Sequence, residues 1–217
     1  MDANQILESI SIGALPIILA ITLHEAAHGW VANKLGDPTA KTLGRITINP
    51  LKHIDIMGTV IVPLAMFVVS GLVFGWAKPV PVDARNFKNP LKDMAIVAAA
   101  GPASNLLMAC FWVLIMAFSL HWLESDQWIQ RPLALMAKAG VIINLILMVL
   151  NLLPLLPLDG GRVVTGFLSP RAAMNFMKIE PYGLIILLLL LFTGILGKIL
   201  GPVVDELQAV LYTIIGL

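Results

Sequence analysis

Cysteine and charged residues are both scarce in this sequence. Its 217 residues include one cysteine, Cys110, and Lys, Arg, Asp and Glu make up only 12%, against about 25% in an ordinary soluble domain. A single cysteine cannot form an internal bridge, which excludes a disulfide-stapled secreted domain. The strongly apolar composition, with 14 prolines and 17 glycines, excludes a nucleic-acid-binding protein. The net charge of +1 by itself says nothing about partners, because in a membrane protein the positions of the charges carry the information. A hydrophobic content of 59% excludes a disordered chain.

What the sequence has in quantity is long apolar runs. A helix needs about 20 apolar residues to cross the hydrocarbon core of a bilayer. Five stretches approach that length, and a sixth, at 202–217, is marginal. The five are residues 6–33, 56–77, 94–123, 139–158 and 182–200. The sequence therefore predicts an all-α polytopic membrane protein with about five transmembrane helices. We expect one membrane-embedded domain over residues 1–217, with no separate soluble domain.

The positions of lysine and arginine predict how these helices are oriented. Eleven of the fourteen basic residues lie in three connectors, whereas the N-terminus and the connector at 124–131 are acidic. By the positive-inside rule, the three basic connectors face the cytoplasm and the N-terminus lies outside. The basic residues of these connectors are Lys34, Lys41, Arg45, Lys52, Lys78, Arg85, Lys88, Lys92, Arg162, Arg171 and Lys178.

The run at 56–77 does not fit a simple crossing, because basic connectors flank it on both sides. We therefore predict that it enters the membrane and that the chain returns along 75–82, where alternating prolines prevent a helix. Residues 44–50 alternate polar and apolar side chains and are the expected strand partner. The prediction is a re-entrant, strand-like segment. The runs at 6–33 and 139–158 are then parallel.

One of the apolar runs contains the sequence His24-Glu25-Ala26-Ala27-His28. Histidines four residues apart lie on one face of a helix, one turn apart, with a carboxylate beside them, and this arrangement can hold a zinc ion. A carboxylate inside a membrane is costly unless it pairs, binds metal or meets water. The alternative is a buried polar cluster that fixes helix packing.

A zinc site with two histidines needs a third protein ligand. Asp159 follows the apolar run predicted to lie parallel to the first, so it reaches the same side of the membrane. An aspartate before Gly-Gly is also an ordinary turn residue. Because Asp159 is expected on the same side of the membrane as the histidine pair, we favour a role as zinc ligand over that of an ordinary turn residue.

These motifs resemble the site-2 protease family of intramembrane zinc metalloproteases. The similarity rests on His24 to His28, on the segment from Asn151 to Gly160, and on the sequence Gly101-Pro102-Ala103-Ser104-Asn105. The segments 44–53 and 75–82 also resemble the compact bacterial members, which lack a PDZ domain.

The resemblance implies that His24, His28 and Asp159 ligate one zinc ion per chain, and that Glu25 is the general base that activates the metal-bound water. It implies hydrolysis of peptide bonds within or near transmembrane segments of membrane protein substrates, close to the cytoplasmic side. The expected setting is the lipid bilayer of a bacterial inner membrane.

Further polar residues are candidates for supporting roles. Hydrolysis of a peptide bond needs an oxyanion donor besides the metal, and the candidates are Asn151, which we favour, and His53. Asn105 is expected to pack against the first helix, where Gly101 lets the two helices approach closely. The glycine pairs Gly71 with Gly75 and Gly197 with Gly201 have the spacing of helix-dimerisation motifs, so a homo-oligomer is an open alternative.

Two other functions compete with the protease. A zinc transporter would also use intramembrane histidines and aspartates, but no inverted repeat or further chain of such residues is present. A catalytically silent, substrate-binding relative is disfavoured by the intact zinc and base motifs. Nucleic acid is not an expected partner.

Overall fold

The computed structural model describes residues 3–70, 75–123 and 127–216. Within them it contains helices and irregular segments but no β-strand. A π-helical turn, Ile56–Ile61, leads into α3, and short 3-10 turns lie at Pro50–Lys52 and Ala84–Asn86. The helices are α1 (Ala3–Lys34), α2 (Thr39–Thr42), α3 (Val62–Ser70), α4 (Pro90–Trp122), α5 (Gln127–Asn151), α6 (Asp159–Phe167), α7 (Pro170–Met177), α8 (Glu180–Phe192) and α9 (Ile195–Ile214).

Three long apolar helices form the centre of the fold. Helix α4 packs against α1 and α5, which also contact each other. Trp112, Val141 and Leu145 lie in the largest buried apolar cluster. The indole of Trp112 fits against α5 because Gly140 has no side chain there; an added Cβ would overlap the ring. By length and composition, α1, α4 and α5 can each cross a membrane. The prediction of an all-helical, membrane-spanning chain is confirmed to this extent.

The boundaries of the later runs differ from the prediction. The run expected at 139–158 belongs to α5, which begins at Gln127 and ends at Asn151. The helix ends there because Pro154 and Pro157 supply no N–H group for its hydrogen-bond ladder.

The run expected at 182–200 is two helices. They are separated by Gly194, whose φ of 72° lies in the left-handed region that glycine adopts readily. Helix α9 then takes in much of the expected sixth run. The described residues thus contain three candidate spans, or four if α7 and α8, bent by 56°, form one span. The count of five stays a prediction.

Residues 75–78 lie against the π-helical turn that precedes α3. The N–H of Trp76 donates to the carbonyl of Gly58 over 3.0 Å, and the hydroxyl of Thr59 donates to the carbonyl of Trp76 over 3.0 Å. The segment that returns from α3 therefore lies beside the start of the π-helical turn. The returning residues from 75 onward are irregular, as the prolines predict.

The predicted strand pairing between 44–50 and 75–82 is wrong for these residues. A side chain joins the two segments instead: Arg45 donates to the carbonyls of Lys78 and Pro79, over 2.9 and 3.3 Å. The physical reason is that Pro79 and Pro81 have no N–H groups to contribute to a strand ladder.

Asp37 ties the corner after α1 to the segment that precedes α4. It is fully buried, and its carboxylate accepts from the Thr39 hydroxyl over 2.5 Å, the Asn86 amide over 2.7 Å and the Asp83 N–H over 2.7 Å. Burial by itself raises the pKa of the Asp37 carboxyl, but these hydrogen bonds outweigh it and hold the pKa below its ordinary value.

Exchange of Asp37 for Asn should destabilise the protein by about 1–3 kcal/mol, because an amide leaves buried donors without an acceptor. A group with a lowered folded-state pKa stabilises the fold above its unfolded pKa of about 3.9, and this contribution disappears as the pH falls through the folded pKa. Thermal unfolding in detergent should therefore separate wild type from variant at pH 7, and the difference should shrink below about pH 4.

Arg85→Gln serves as the control for the Asp37 variant, because it breaks only an ion pair in which the arginine is 89% exposed. An equal loss of stability in both variants would contradict the role assigned to Asp37.

Candidate metal centre

Helix α1 presents His24 and His28 close to its C-terminal end, at Lys34. The two side chains lie one turn apart on the same face of the helix. They are 10% and 11% exposed, so both imidazoles are almost withdrawn from solvent. Buried imidazoles need partners for both ring nitrogens, and those partners define the site.

The carboxylate of Asp159 completes a triangle with the two histidines. The Nε2 atoms of His24 and His28 are 3.1 Å apart, and Oδ2 of Asp159 lies 3.2 Å from the first and 3.4 Å from the second. A tetrahedral zinc ion with ligands at about 2.0–2.1 Å separates those ligands by about 3.3 Å. The triangle therefore has the dimensions of one face of a zinc coordination sphere.

The other ring nitrogens determine where the protons lie. Nδ1 of His28 is 2.7 Å from the carbonyl of Val97, and Nδ1 of His24 is 2.6 Å from Oδ1 of Asn105. Both oxygens only accept, so in the neutral imidazoles Nδ1 carries the proton and Nε2 carries the lone pair. Oδ2 of Asp159 is buried without a hydrogen-bond partner. Three electron-pair donors thus converge, an arrangement that a metal cation stabilises.

The two imidazoles can lie where they do because residue 101 is glycine. A Cβ added to Gly101 would lie 2.5 Å from Cε1 of His24 and 2.5 Å from Nε2 of His28. The predicted close approach of α4 to α1 is confirmed. It occurs directly against the imidazole rings.

Asp159 reaches the histidines because the chain turns sharply after α5. It is the first residue of α6, where the partial positive charge of the helix N-terminus favours a carboxylate. Gly160 and Gly161 let this helix lie directly on the turn at 152–158, since an added Cβ at either position would overlap backbone atoms of that turn. Helix α6 also packs on α4, which brings Asp159 to the face of α1 that carries His24 and His28.

Glu25 lies beside the triangle and lines the same cavity, whose volume is about 350 Å³. Its Oε2 accepts a hydrogen bond of 2.7 Å from the N–H of Val80. Pro79, Val80 and Val82 of the irregular segment form one wall of the cavity. The carboxylate is therefore held in place and also faces the cavity.

The two predicted oxyanion donors are placed differently. Asn151 lines the cavity, and its side-chain amide donates to the carbonyl of Leu147 over 2.9 Å. His53 is buried and is not among the cavity-lining residues; its Nε2 lies 3.1 Å from the carbonyl of Thr47. The functional roles of Asn151 and His53 stay predictions.

Three contributors to the site were not predicted from the sequence. Asn105 was expected to pack, but it also accepts from His24. The Val80 contact uses a backbone group, which no side-chain pattern can reveal. Arg162 lines the cavity; its position three residues after Asp159, on the same face of α6, was an available signal.

The residues present fit a zinc ion. Two imidazoles and one carboxylate, with one coordination position left for water or substrate, are a typical ligand set of catalytic zinc. Gly101 leaves room for the two imidazoles. The fold and the site together define a helical membrane protein in which three side chains are placed so that they could hold a metal ion.

Comparison with known proteins agrees with this class. Peptidase family M50 matches residues 121–193, which include Asp159 but not the histidines of α1. YwhC of Bacillus subtilis, provisionally named a zinc metalloprotease, is 37% identical over 192 residues, covering 88% of this chain and 84% of its own. Rip2 of Mycolicibacterium smegmatis, named in the same way, is 27% identical over 182 residues, covering 83% of this chain and 66% of its own. No solved structure matches.

The chain belongs to peptidase family M50, the site-2 protease family of zinc metalloproteases. The resemblance predicted from the sequence motifs is confirmed.

Proposed function

We propose that the protein is an intramembrane zinc metalloprotease that hydrolyses peptide bonds within or near the transmembrane segments of other membrane proteins. The observation that carries this proposal is the convergence of His24, His28 and Asp159, beside Glu25, in a cavity at one end of a bundle of apolar helices. Non-helical backbone is tolerated at membrane depth only in contact with protein or water. An unwound substrate peptide therefore needs a cavity in the protein, and this one, with a wall of irregular backbone, suits it.

In this proposal, His24, His28 and Asp159 hold one zinc ion per chain. Bound zinc would supply a Lewis acid that polarises the scissile carbonyl and brings the pKa of bound water to about 7. Holding the ion requires the two Nε2 lone pairs to stay directed at it. The Asn105 side-chain oxygen and the Val97 carbonyl support this by accepting hydrogen bonds from the two Nδ1–H groups.

Glu25 is proposed as the general base. Its carboxylate would accept a proton from the attacking water and pass it to the leaving amine. The hydrogen bond from Val80 holds one carboxylate oxygen, so the group reaches the cavity in a fixed orientation. Asn151 is the proposed oxyanion donor, because one of its two amide hydrogens is used by Leu147 and the other is left for substrate. His53 is the weaker candidate, since it does not line the cavity.

We place the site near the cytoplasmic side of a bacterial inner membrane, with the N-terminus outside. The support is charge: the C-terminal end of α1, which carries the histidines, leads into the connector with Lys34, Lys41, Arg45 and Lys52. Residues 56–82 are proposed to form the re-entrant segment, supported by the contact of Trp76 with Gly58. About five crossings, within one domain over residues 1–217, complete the proposed topology.

The partners in this proposal are transmembrane substrates and the surrounding lipid. A homo-oligomer stays an open alternative. Gly71 lies outside the described residues, and a Cβ on Gly197 or Gly201 would meet no atom within 4 Å, so that face of α9 is not packed against the rest of the described chain.

A reconstituted cleavage assay tests the function. The full chain is placed in liposomes with a single-pass reporter that has Asn-Pro in its span, and the products are mapped by mass spectrometry. We expect cuts within or next to the span, their loss when a chelator removes the metal, and their return with added zinc. Cuts confined to the soluble tails, or no cleavage by folded and zinc-loaded protein, would contradict the proposal.

A further inference from the structure

Two asparagines are completely buried where α1, α4 and α5 meet. Asn105 belongs to α4 and Asn144 to α5, and both have no exposed surface. Buried amides are found with their hydrogen-bonding groups satisfied, since an unpaired amide in such surroundings is strongly unfavourable. Asn144 comes from a helix that supplies none of the three converging metal-site atoms.

The hydrogen bonds of these amides have a fixed direction. The NH₂ group of Asn144 donates to the backbone carbonyl of Gly140 over 2.8 Å. A backbone carbonyl can only accept, so Oδ1 of Asn144 must face the other way, toward Asn105. It accepts from the NH₂ group of Asn105 over 3.0 Å.

The direction set at Gly140 continues to the metal site. The NH₂ group of Asn105 also donates to the carbonyl of Ala20, over 3.4 Å. With both donors used, the Oδ1 atom of Asn105 faces His24, where it lies 2.6 Å from Nδ1. Its lone pairs hold the proton on Nδ1 and leave Nε2 free of a proton.

His28 is held by a different means. Its Nδ1 contacts the backbone carbonyl of Val97, over 2.7 Å, and a backbone carbonyl cannot exchange places with a donor. A side-chain amide can rotate by half a turn and present NH₂ in place of oxygen. Of the two histidines, His24 alone therefore depends on something that keeps its amide partner from rotating.

We propose that Asn144 is the positioning residue that does this. By accepting from Asn105 and donating to Gly140, it fixes the orientation of the Asn105 amide and thereby the tautomer of His24. Without Asn144, only the longer contact of 3.4 Å with the Ala20 carbonyl would oppose rotation of the Asn105 amide. The rotated amide would offer a donor to Nδ1 of His24 and shift the proton to Nε2, the atom directed at the metal. This inference rests on the proposed role of His24 as a metal ligand.

The test compares three variants of the full chain in detergent. Asn144→Leu removes both hydrogen-bonding groups but keeps the branching and the number of side-chain heavy atoms, whereas Asn144→Asp in its protonated form still donates to Gly140 and accepts from Asn105. Leu145→Ala is the matched control, because it makes a cavity at the next, equally buried position without touching the amides. Zinc affinity is measured by competition with a chromophoric chelator, and the His24 tautomer by ¹⁵N NMR of the metal-free chain.

We expect Asn144→Leu to weaken zinc binding by about 10–100-fold, the range for loss of the partners that orient metal ligands. It should increase the Nε2-protonated form of His24 but not of His28. Asn144→Asp should stay within about threefold of wild type, and Leu145→Ala should lose stability but keep the tautomer and the zinc affinity.

Unchanged zinc affinity and an unchanged His24 tautomer in Asn144→Leu would overturn the positioning role. So would an equal loss of affinity in Leu145→Ala. A His24→Ala variant distinguishes the ligand role of His24 from the positioning role of Asn144. If it still binds zinc as tightly as wild type, the ligand role itself is overturned; if it loses zinc while Asn144→Leu does not, only the positioning role is.

Discussion

Exchange of Glu25 for Gln is expected to abolish cleavage while zinc stays bound. Glutamine has the same shape, and its side-chain oxygen can still accept the hydrogen bond from Val80. It cannot accept a proton from water, so turnover should fall by at least about 10²–10⁴-fold, the contribution of a general base. The three proposed zinc ligands are His24, His28 and Asp159, and Glu25 is not among them. Zinc affinity should therefore change by no more than about threefold.

The measurements for Glu25→Gln are cleavage of the reconstituted reporter and zinc content by mass spectrometry on the same preparation. Asp93→Asn is the matched control, because it makes the same carboxylate-to-amide change at a residue that does not line the cavity. It should cleave like wild type. Undiminished cleavage by Glu25→Gln would mean that another group is the base.

Exchange of Gly101 for Ala is expected to weaken zinc binding strongly. The added methyl group would lie 2.5 Å from Cε1 of His24, 2.5 Å from Nε2 of His28 and 2.6 Å from Nε2 of His24, against about 3.5–4.0 Å for a comfortable contact. The rings or the helices must move, and the triangle loses its dimensions. Zinc affinity should fall by at least about 100-fold, and cleavage with it.

The Gly101 variant separates the geometry of the site from the stability of the helix. Alanine is a better helix former than glycine by about 1 kcal/mol, so α4 itself should not be weakened. Gly13→Ala is the control: it makes the same substitution in α1, where an added Cβ meets nothing within 4 Å. That control should keep wild-type zinc content. A Gly101→Ala protein that binds zinc as tightly as wild type would show that the site can adapt to the methyl group.

The two variants fail in different ways, which makes them informative together. Glu25→Gln should keep zinc and lose activity, whereas Gly101→Ala should lose both. If both variants lose zinc, Glu25 helps to hold the metal and the division of roles proposed here is incorrect.

Features that depend on near neighbours in the chain could be predicted from the sequence. The spacing of His24 and His28 places them on one helical face whatever surrounds the helix, because the helical period fixes it. The apolar runs predicted α1 and α4 closely. The parallel arrangement of the first and fourth runs led to Asp159, and the structure brings this carboxylate to the histidine pair.

The helix ends and the irregular segments were harder to predict. Mean apolarity continues through 182–200, but a single glycine in the left-handed conformation divides that run into α8 and α9. The alternation at 44–50 suggested a strand, whereas the prolines opposite it removed the donors for a ladder and Arg45 took their place. In both cases a few individual residues decided the outcome, and composition averaged over the segment did not register them.

The sequence by itself determined that this is a membrane protein with a histidine pair, a carboxylate beside it and a further aspartate available as a third ligand. Only the tertiary structure decided how these groups are held. Asn105 meets His24 across 81 positions of chain, Val80 meets Glu25 across 55, and Gly101 leaves room for both imidazoles. Such contacts depend on how one helix is rotated and displaced against another. That is set by the packing of whole helix surfaces, so no local pattern in the chain encodes it.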